Sequence, residues 1–500
     1  MRCRLAGVAA GTFSSMTPDE FRRLGHEVID WIADYRESLP TRHVQATALP
    51  GDVRRQIPTV APLQPESLAE ILEDLDRIVM PGLSHFQHPR FHGYFPANAS
   101  LESVLGDVVS TGLGVIGITW QSSPALTEVE EAMMEWLRVE TGLSTAWTGT
   151  IQDTASTACL VALLCARERS SGFGMNAGGL QAAANPLVIY ASSESHSSVQ
   201  KAAVLAGFGL DNLRFIGVDP HTFGMDTELL ERAIVVDLAA GRVPCAVIAS
   251  VGTTATTAVD PVHAIVGIAQ RHALWVHVDA ALAGTAMLLP ECRHLWDGIE
   301  GADSLSWNPH KWMGTAVDCS AYFVRDPQHL IRVMSTNPSY LRSAVDGEVT
   351  QFRDWGIPLG RRFRALKLWF HMRLEGLDAI RARLRRDLDN ARWLADTVIS
   401  TPGWSVLAPV PLQTVCLRYT PTDATGAPLI GRALDAHTLA WCDEVNQGGL
   451  AYLTPSLLQE RWMVRVSIGA LTTERSDVAT TWAAIRSAAE RPPRAGSLSV

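Results

Sequence analysis

Of the 42 lysines and arginines in the sequence, only Lys201, Lys311 and Lys367 are lysines. Arginine serves solubility and carboxylate binding equally well, but a guanidinium does not readily lose its proton or form an imine. An amine kept at Lys311, between His310 and Trp312 and directly after Asn308-Pro309 in "SWNPHKW", therefore points to chemistry. Asp279 is a second signal, because it ends the apolar run "LWVHVDA". A carboxylate there needs a cation or abundant hydrogen bonds, and a protonated ring nitrogen would supply one. The segment "IQDTASTACLVALLCARER" opens a helix near Thr154, where the backbone N–H groups of Ala155 and Ser156 and the nearby hydroxyls suit a bound anion. The same Thr and Ser are also what an ordinary N-cap requires. His196 in "YASSESHSSVQKA" offers a flat ring, or a structural histidine, and Thr253 and Thr254 in "VGTTATTAVD" offer small hydroxyls.

These residues fall at strand ends or helix starts, where open α/β sheets place their ligands. From 105 to 375 the chain alternates helical segments with the apolar runs "PLVIYAS", "NLRFIGV", "PCAVIASVG", "LWVHVDA" and "DSLSWN". That pattern predicts parallel strands covered on both faces. Residues 376–500, with "GWSVLAP", "TVCLRYT", "WMVRVSIGA" and two further helices, predict a small α+β domain. Residues 1–104 are expected to form an N-terminal helical arm, with 1–16 a loose tail, because Thr17, Pro18, Asp19 and Glu20 make a strong helix start. An apolar share of 47% over 500 residues supports a large core in more than one domain. The net charge of −10, without any basic run, argues against nucleic acid or an anionic membrane as partner. No apolar segment is long enough to span a bilayer. The eight cysteines lack any C-x-x-C pair and read as buried thiols of a cytoplasmic protein.

An imine-forming amine, a carboxylate for a ring nitrogen, a flat ring and a phosphate seat are the parts that pyridoxal 5'-phosphate requires. The chain resembles the group II pyridoxal-phosphate-dependent decarboxylases, in particular the aromatic-L-amino-acid decarboxylase family. The resemblance covers most of residues 17–490 and is carried by "HPRFHGYFPANAS", "SSPALTEVE", "ASTACLVALLCARER", "HSSV", "VGTTATT", "HVDAALAGTA", "NPHKW" and "IPLGRRFRALKLWF". It implies the α/β fold of pyridoxal-phosphate-dependent transferases, fold type I and aspartate-aminotransferase-like, with a mostly parallel central sheet. It makes Lys311 the imine-forming lysine, Asp279 the partner of the ring nitrogen and His196 the residue stacked on the ring. Ala155, Ser156, Thr254, Asn308 and His310 would line the cofactor and its phosphate. Tyr340, in the lid-like loop "NPSYLRSAVDGEVTQFRDWGIPLG", would return a proton to the substrate's Cα. Relatives that oxidise their substrate to an aldehyde carry phenylalanine there. The implied activity is decarboxylation of an aromatic L-amino acid to the arylalkylamine and CO₂, by a homodimer.

By the same resemblance, substrate choice is expected from Phe86, Tyr94, Ala97, Ile116, Ile118, Leu282 and Gly360. Phe86, Ala97, Ile118 and Leu282 replace the Trp, Thr, Phe and Tyr of the animal enzymes, while Ile116 and Gly360 agree with them. A methyl group at Ala97 favours tryptophan and phenylalanine over tyrosine or dopa, unless Tyr94 or Ser100 supplies the missing hydrogen bond. Other readings are an aldehyde synthase, a non-catalytic relative, which would be expected to have lost Lys311 or Asp279, or an aminotransferase using Arg465 to hold the substrate carboxylate. "GLGVIG" matches a dinucleotide fingerprint but follows no clear apolar strand. His85, His88 and His92 are interrupted by Pro89 and lack a supporting acid, so no metal is expected.

Overall fold

Seven strands build the central sheet of the computed structural model, which describes residues 16–182, 185–336, 345, 347–423 and 425–491. They are β1 (Thr148–Gln152), β2 (Leu187–Ser192), β3 (Leu213–Ile216), β4 (Val243–Ser250), β5 (Trp275–Asp279), β6 (Ser304–Trp307) and β7 (Ser320–Val324). Their order is β1-β7-β6-β5-β4-β2-β3. Strands β2 to β6 pair in parallel, whereas β7 is antiparallel to both β6 and β1. Alternate residues feed two separate cores. Val188, Tyr190, Val247 and Ala249 join one cluster, and Ile189, Ala191, Ala246 and Ile248 join the other. With both faces covered, each strand reads as a continuous apolar run, which is why the parallel strands were visible in the sequence.

β1, β7 and, in the second sheet, β10 are not among the strands that the sequence pattern predicts. That sheet contains β8 (Trp404–Val406), β9 (Thr414–Tyr419), β10 (Thr454–Leu458) and β11 (Arg461–Ser467), antiparallel in the order β10-β11-β9-β8. β1 holds Gly149 because a Cβ there would lie 2.2 Å from Met134 Cε and 2.8 Å from Phe323 Cδ1. β7 returns from β6 without a crossover helix, which breaks the strand–helix alternation. β10 contains Pro455, which an edge strand tolerates because no partner needs its N–H. Helices Leu377–Ile399, Gly431–Gln447 and Arg475–Ala489 supply the core against this sheet.

The chain divides between His85 and Phe86 into two compact units. In the first, helix Pro18–Ser38 starts at Thr17 with the expected capping box and has no buried residue. Shorter helical pieces, Asp52–Gln56, Leu68–Asp74 and Leu75–Val79, follow. Residues 86–104 lie in the second unit. There helix Leu101–Leu113 packs tightly on helix Ala365–Leu374: a Cβ at Gly106 would lie 2.7 Å from the Lys367 Cα.

His277 is fully buried on β5, its Nδ1 2.9 Å from Ser304 Oγ and its Nε2 3.3 Å from Ser306 Oγ. Burial holds its pKa down to about 4. The unfolded chain takes up that proton near 6.5, so this contribution is complete above about pH 6.5 and is lost as pH falls toward 4. Burial raises Asp260 to about 7 and Asp387 to about 6, which acts in the opposite sense over the same range. The comparison is therefore between variant and wild type. In urea unfolding, His277→Asn should lose roughly 1–2 kcal/mol less than wild type between pH 6.5 and pH 5; identical slopes would remove His277 from the account.

Candidate active site

Because β1, β2, β4, β5 and β6 all run the same way, their C-terminal ends share one edge, and the loops leaving it enclose a cleft of about 200 Å³. Lys311 reaches it from the wide turn Pro309–Met313 after β6. Its Nζ lies 5.5 Å from the ring centre of Phe95 and has no hydrogen-bond partner among the described residues. Burial lowers the pKa of this amine below the ordinary lysine value, with Asp279 acting in the opposite direction. Of the other lysines, Lys201 is exposed, whereas Lys367 is fully buried, 3.7 Å from Asp107 Oδ1 and 3.6 Å from Asp318 Oδ1.

Asp279 ends β5 and enters the cleft as a buried carboxylate. Its Oδ1 accepts the Ala281 N–H at 3.0 Å. His196 caps helix Ser197–Leu205, its Nδ1 accepting the Ser198 N–H at 3.1 Å and lying 2.8 Å from Ser198 Oγ. That acceptor role assigns the proton to Nε2 and fixes the ring's direction. Burial lowers the His196 pKa, Asp279 raises it and Lys311 lowers it again. His310 also accepts through Nδ1, from Cys319 N at 3.0 Å, and burial with neighbouring Lys311 takes it down to about 4.

The cleft is also lined by the start of helix Ala155–Ser170, capped by Thr154. Ala155 and Ser156, whose N–H groups belong to the unsatisfied first turn of this helix, line the cleft. Thr253 Oγ1 accepts the Ala258 N–H at 3.0 Å, while the exposed Thr254 side chain makes no hydrogen bond among the described residues. Asn308 Oδ1 is buried without a partner among them.

This chain therefore gathers Ala155, Ser156, His196, Thr254, Asp279, Asn308, His310 and Lys311 at one cleft, but none of the residues expected to select substrate lines it. Phe86 stacks on Phe91 at 4.2 Å and on Tyr94 at 6.2 Å. The Tyr94 hydroxyl meets the Tyr452 hydroxyl at 3.2 Å, and Ala97 O accepts from Gln87 Nε2. Ser100 is buried as the N-cap of helix Leu101–Leu113. Ile116 is exposed beside Gly360, where a Cβ would lie 3.4 Å from Ile116 Cγ2. Ile118 is half-buried, and Leu282 is fully buried in the core. Tyr340 lies outside the described residues.

Phe95, Ser198 and Ser250 line the cleft without having been singled out in the sequence. Phe95 and Ser198 stood inside quoted motifs, but neither type advertises chemistry. Arg465 stays outside the cleft: its Nε donates to Ala255 O, and its guanidinium carbon lies 5.0 Å from the ring centre of Phe95. His88 Nδ1 accepts the Arg90 N–H, and His92 Nε2 meets Thr481 Oγ1.

The donor set fits pyridoxal phosphate. A buried carboxylate with one backbone donor suits a protonated ring nitrogen, a helix N-terminus suits a phosphate, and the orphaned Asn308 Oδ1 awaits a donor.

Residues 50–420 match the model of the pyridoxal-dependent decarboxylase conserved domain. A tyrosine decarboxylase of Papaver somniferum is 35% identical over 500 aligned residues, covering 96% of this chain and 97% of its own. The phenylacetaldehyde synthase of Arabidopsis thaliana is 36% identical, covering 94% of this chain and 96% of its own. The crystal structure of Oryza sativa TDC with PLP and tryptamine superposes with a TM-score of 0.91 at 34% identity, over 96% of this chain and 99% of that one. The seven-stranded sheet is thus that of fold type I, and the chain belongs to the pyridoxal-dependent decarboxylase family, with pyridoxal phosphate as its cofactor.

Proposed function

We propose that this decarboxylase converts an aromatic L-amino acid to its arylalkylamine, with tryptophan and phenylalanine ahead of tyrosine and dopa. Bound pyridoxal phosphate supplies an aldehyde for imine formation and a cationic ring that takes up the electron pair left when CO₂ departs. Lys311 contributes the amine, which its dry surroundings help to deprotonate. Asp279 would partner the protonated ring nitrogen, His196 would lie against the ring, and the N–H groups of Ala155 and Ser156, with Thr254, Asn308 and His310, would hold the cofactor and its phosphate. Tyr340 returns the proton to Cα, which favours amine over the aldehyde made by a relative such as phenylacetaldehyde synthase.

The observation that carries the substrate preference is the methyl group at Ala97. Of the two groups that could replace the missing hydroxyl, Ser100 is buried as a helix cap and the Tyr94 hydroxyl already faces Tyr452. An unpaired substrate hydroxyl costs about 1–3 kcal/mol, or roughly ten- to hundredfold in selectivity. We assign the working form to a homodimer. Helix Pro18–Ser38 has no buried residue, and Leu101, Leu105, Val108, Leu113 and Ile116 form an exposed apolar stripe. Ile116, Ile118 and Gly360 then face the neighbour's cleft, which accounts for their absence from this one. The seven cysteines among the described residues are buried free thiols, which suits the reducing cytoplasm.

Three measurements test this reading. Borohydride reduction of the cofactor-loaded protein should tag Lys311, and a tag on Lys201 or Lys367 instead would sink the assignment. Sedimentation should give a dimer that loses activity on dilution to monomer; a fully active monomer would contradict the shared site. In kcat/KM with phenylalanine, tyrosine, dopa and tryptophan, dopa should rank last in wild type and gain roughly tenfold in Ala97→Thr, with amine, CO₂ and aldehyde all quantified. Dopa ranking first in wild type, no gain in the variant, or aldehyde as the main product would overturn the proposal.

A further inference from the structure

The turn that carries Lys311 is held by side chains from well outside the strand it follows. At Lys311 the backbone leaves helical dihedrals, with φ −97° and ψ −112°, so its carbonyl turns away from the local ladder and needs a donor elsewhere. The donor is Asn98: its Nδ2 lies 3.1 Å from Lys311 O and 2.7 Å from Gly469 O. The amide thus joins two carbonyls from distant parts of the chain. Its own Oδ1 is buried without a partner among the described residues. Rotating the amide by half a turn would set that oxygen against both carbonyls, so the observed orientation is forced. An acceptor left unpaired in a buried site marks a residue retained for its donors.

The surrounding contacts show what the bridge connects. Ser467 N donates to His92 O at 3.0 Å, and Ser100 N donates to Gly314 O at 2.8 Å, so the strap 92–100 runs from β11 to the Lys311 turn. Gly469 sits where a Cβ would lie 2.9 Å from Pro96 and 3.1 Å from Trp312, one residue on from Lys311. Phe95, on the same strap, lies under the lysine's amine. We propose that Asn98 is a positioning residue for Lys311, tying its carbonyl to that of Gly469 so that the strap and the C-terminal segment fix how the amine enters the cleft. This rests on Lys311 being the imine-forming lysine.

The test measures how fast cofactor-free protein captures pyridoxal phosphate at Lys311, trapped with borohydride, mapped by mass and normalised to the folded fraction. Asn98→Leu keeps the volume and removes both donors; Asn98→Asp places an acceptor against two carbonyls; Asn98→Ser is a milder change that keeps one donor. Expected is a capture rate lowered roughly 10- to 100-fold in Asn98→Leu and Asn98→Asp and less in Asn98→Ser, with kcat falling and KM little changed. A role in stability alone would lower the folded fraction and leave the normalised rate untouched, and that result overturns the proposal. If Leu and Asp variants do not fold, Asn98→Ser decides: a slower normalised capture supports the bridge, and a wild-type rate overturns it. Failure of wild type itself to be tagged at Lys311 would instead refute the lysine assignment.

Discussion

The amine of Lys311 and the carboxyl group of Asp279 have to reach one cleft, whose dry surroundings oppose charge on the amine. The fold separates the two by what it offers them. Asp279 receives a backbone N–H from Ala281, whereas Lys311 Nζ lies over the face of Phe95 without a hydrogen-bond partner among the described residues. Both must come from adjacent strands for the carboxylate and amine to address one flat ligand. The register delivers this, since Asp279 on β5 pairs with Ser306 on β6, shortly before the lysine turn. The shared direction of β1, β2, β4, β5 and β6 then brings the start of helix Ala155–Ser170 and His196 to the same edge.

The antiparallel strand β7 completes this arrangement. It starts at the edge where β6 ends, so Cys319 N can donate to His310 Nδ1. On the far side of the turn, Arg383 donates to the carbonyls of Trp312 and Met313, and Asp387 accepts from Trp312 Nε1. Glu375 orients Arg383 and also meets His371, whose other nitrogen faces Thr315. The lysine turn is therefore also held by a helix beginning more than sixty residues later in the chain.

The cleft-lining residues were legible where a sequence pattern breaks. Asp279 interrupts an apolar strand, Lys311 is one of three lysines, and Thr154 opens an apolar helix. Residues that act by contact across the chain left no such trace. Asn98 is one amide in a loop, and its partners are 213 and 371 residues away. β7 was hidden because it breaks the helix-strand alternation, and β10 because a proline usually argues against a strand. Ile116 and Gly360 were named only through family resemblance; their proximity on an exposed surface comes from the backbone bridge between Gly117 and Arg361.

His196 joins two tasks in one imidazole. One nitrogen closes the start of helix Ser197–Leu205, and the residue also lines the cleft. Redesign of the face is consequently tied to redesign of the helix. A phenyl or indole ring would preserve the aromatic surface but leave the Ser198 N–H without its acceptor, a loss of about 1 kcal/mol at a cap. Laboratory evolution toward a different stacking group would therefore tend to recruit a compensating acceptor nearby, making position 196 an epistatic hub rather than an independently tunable site.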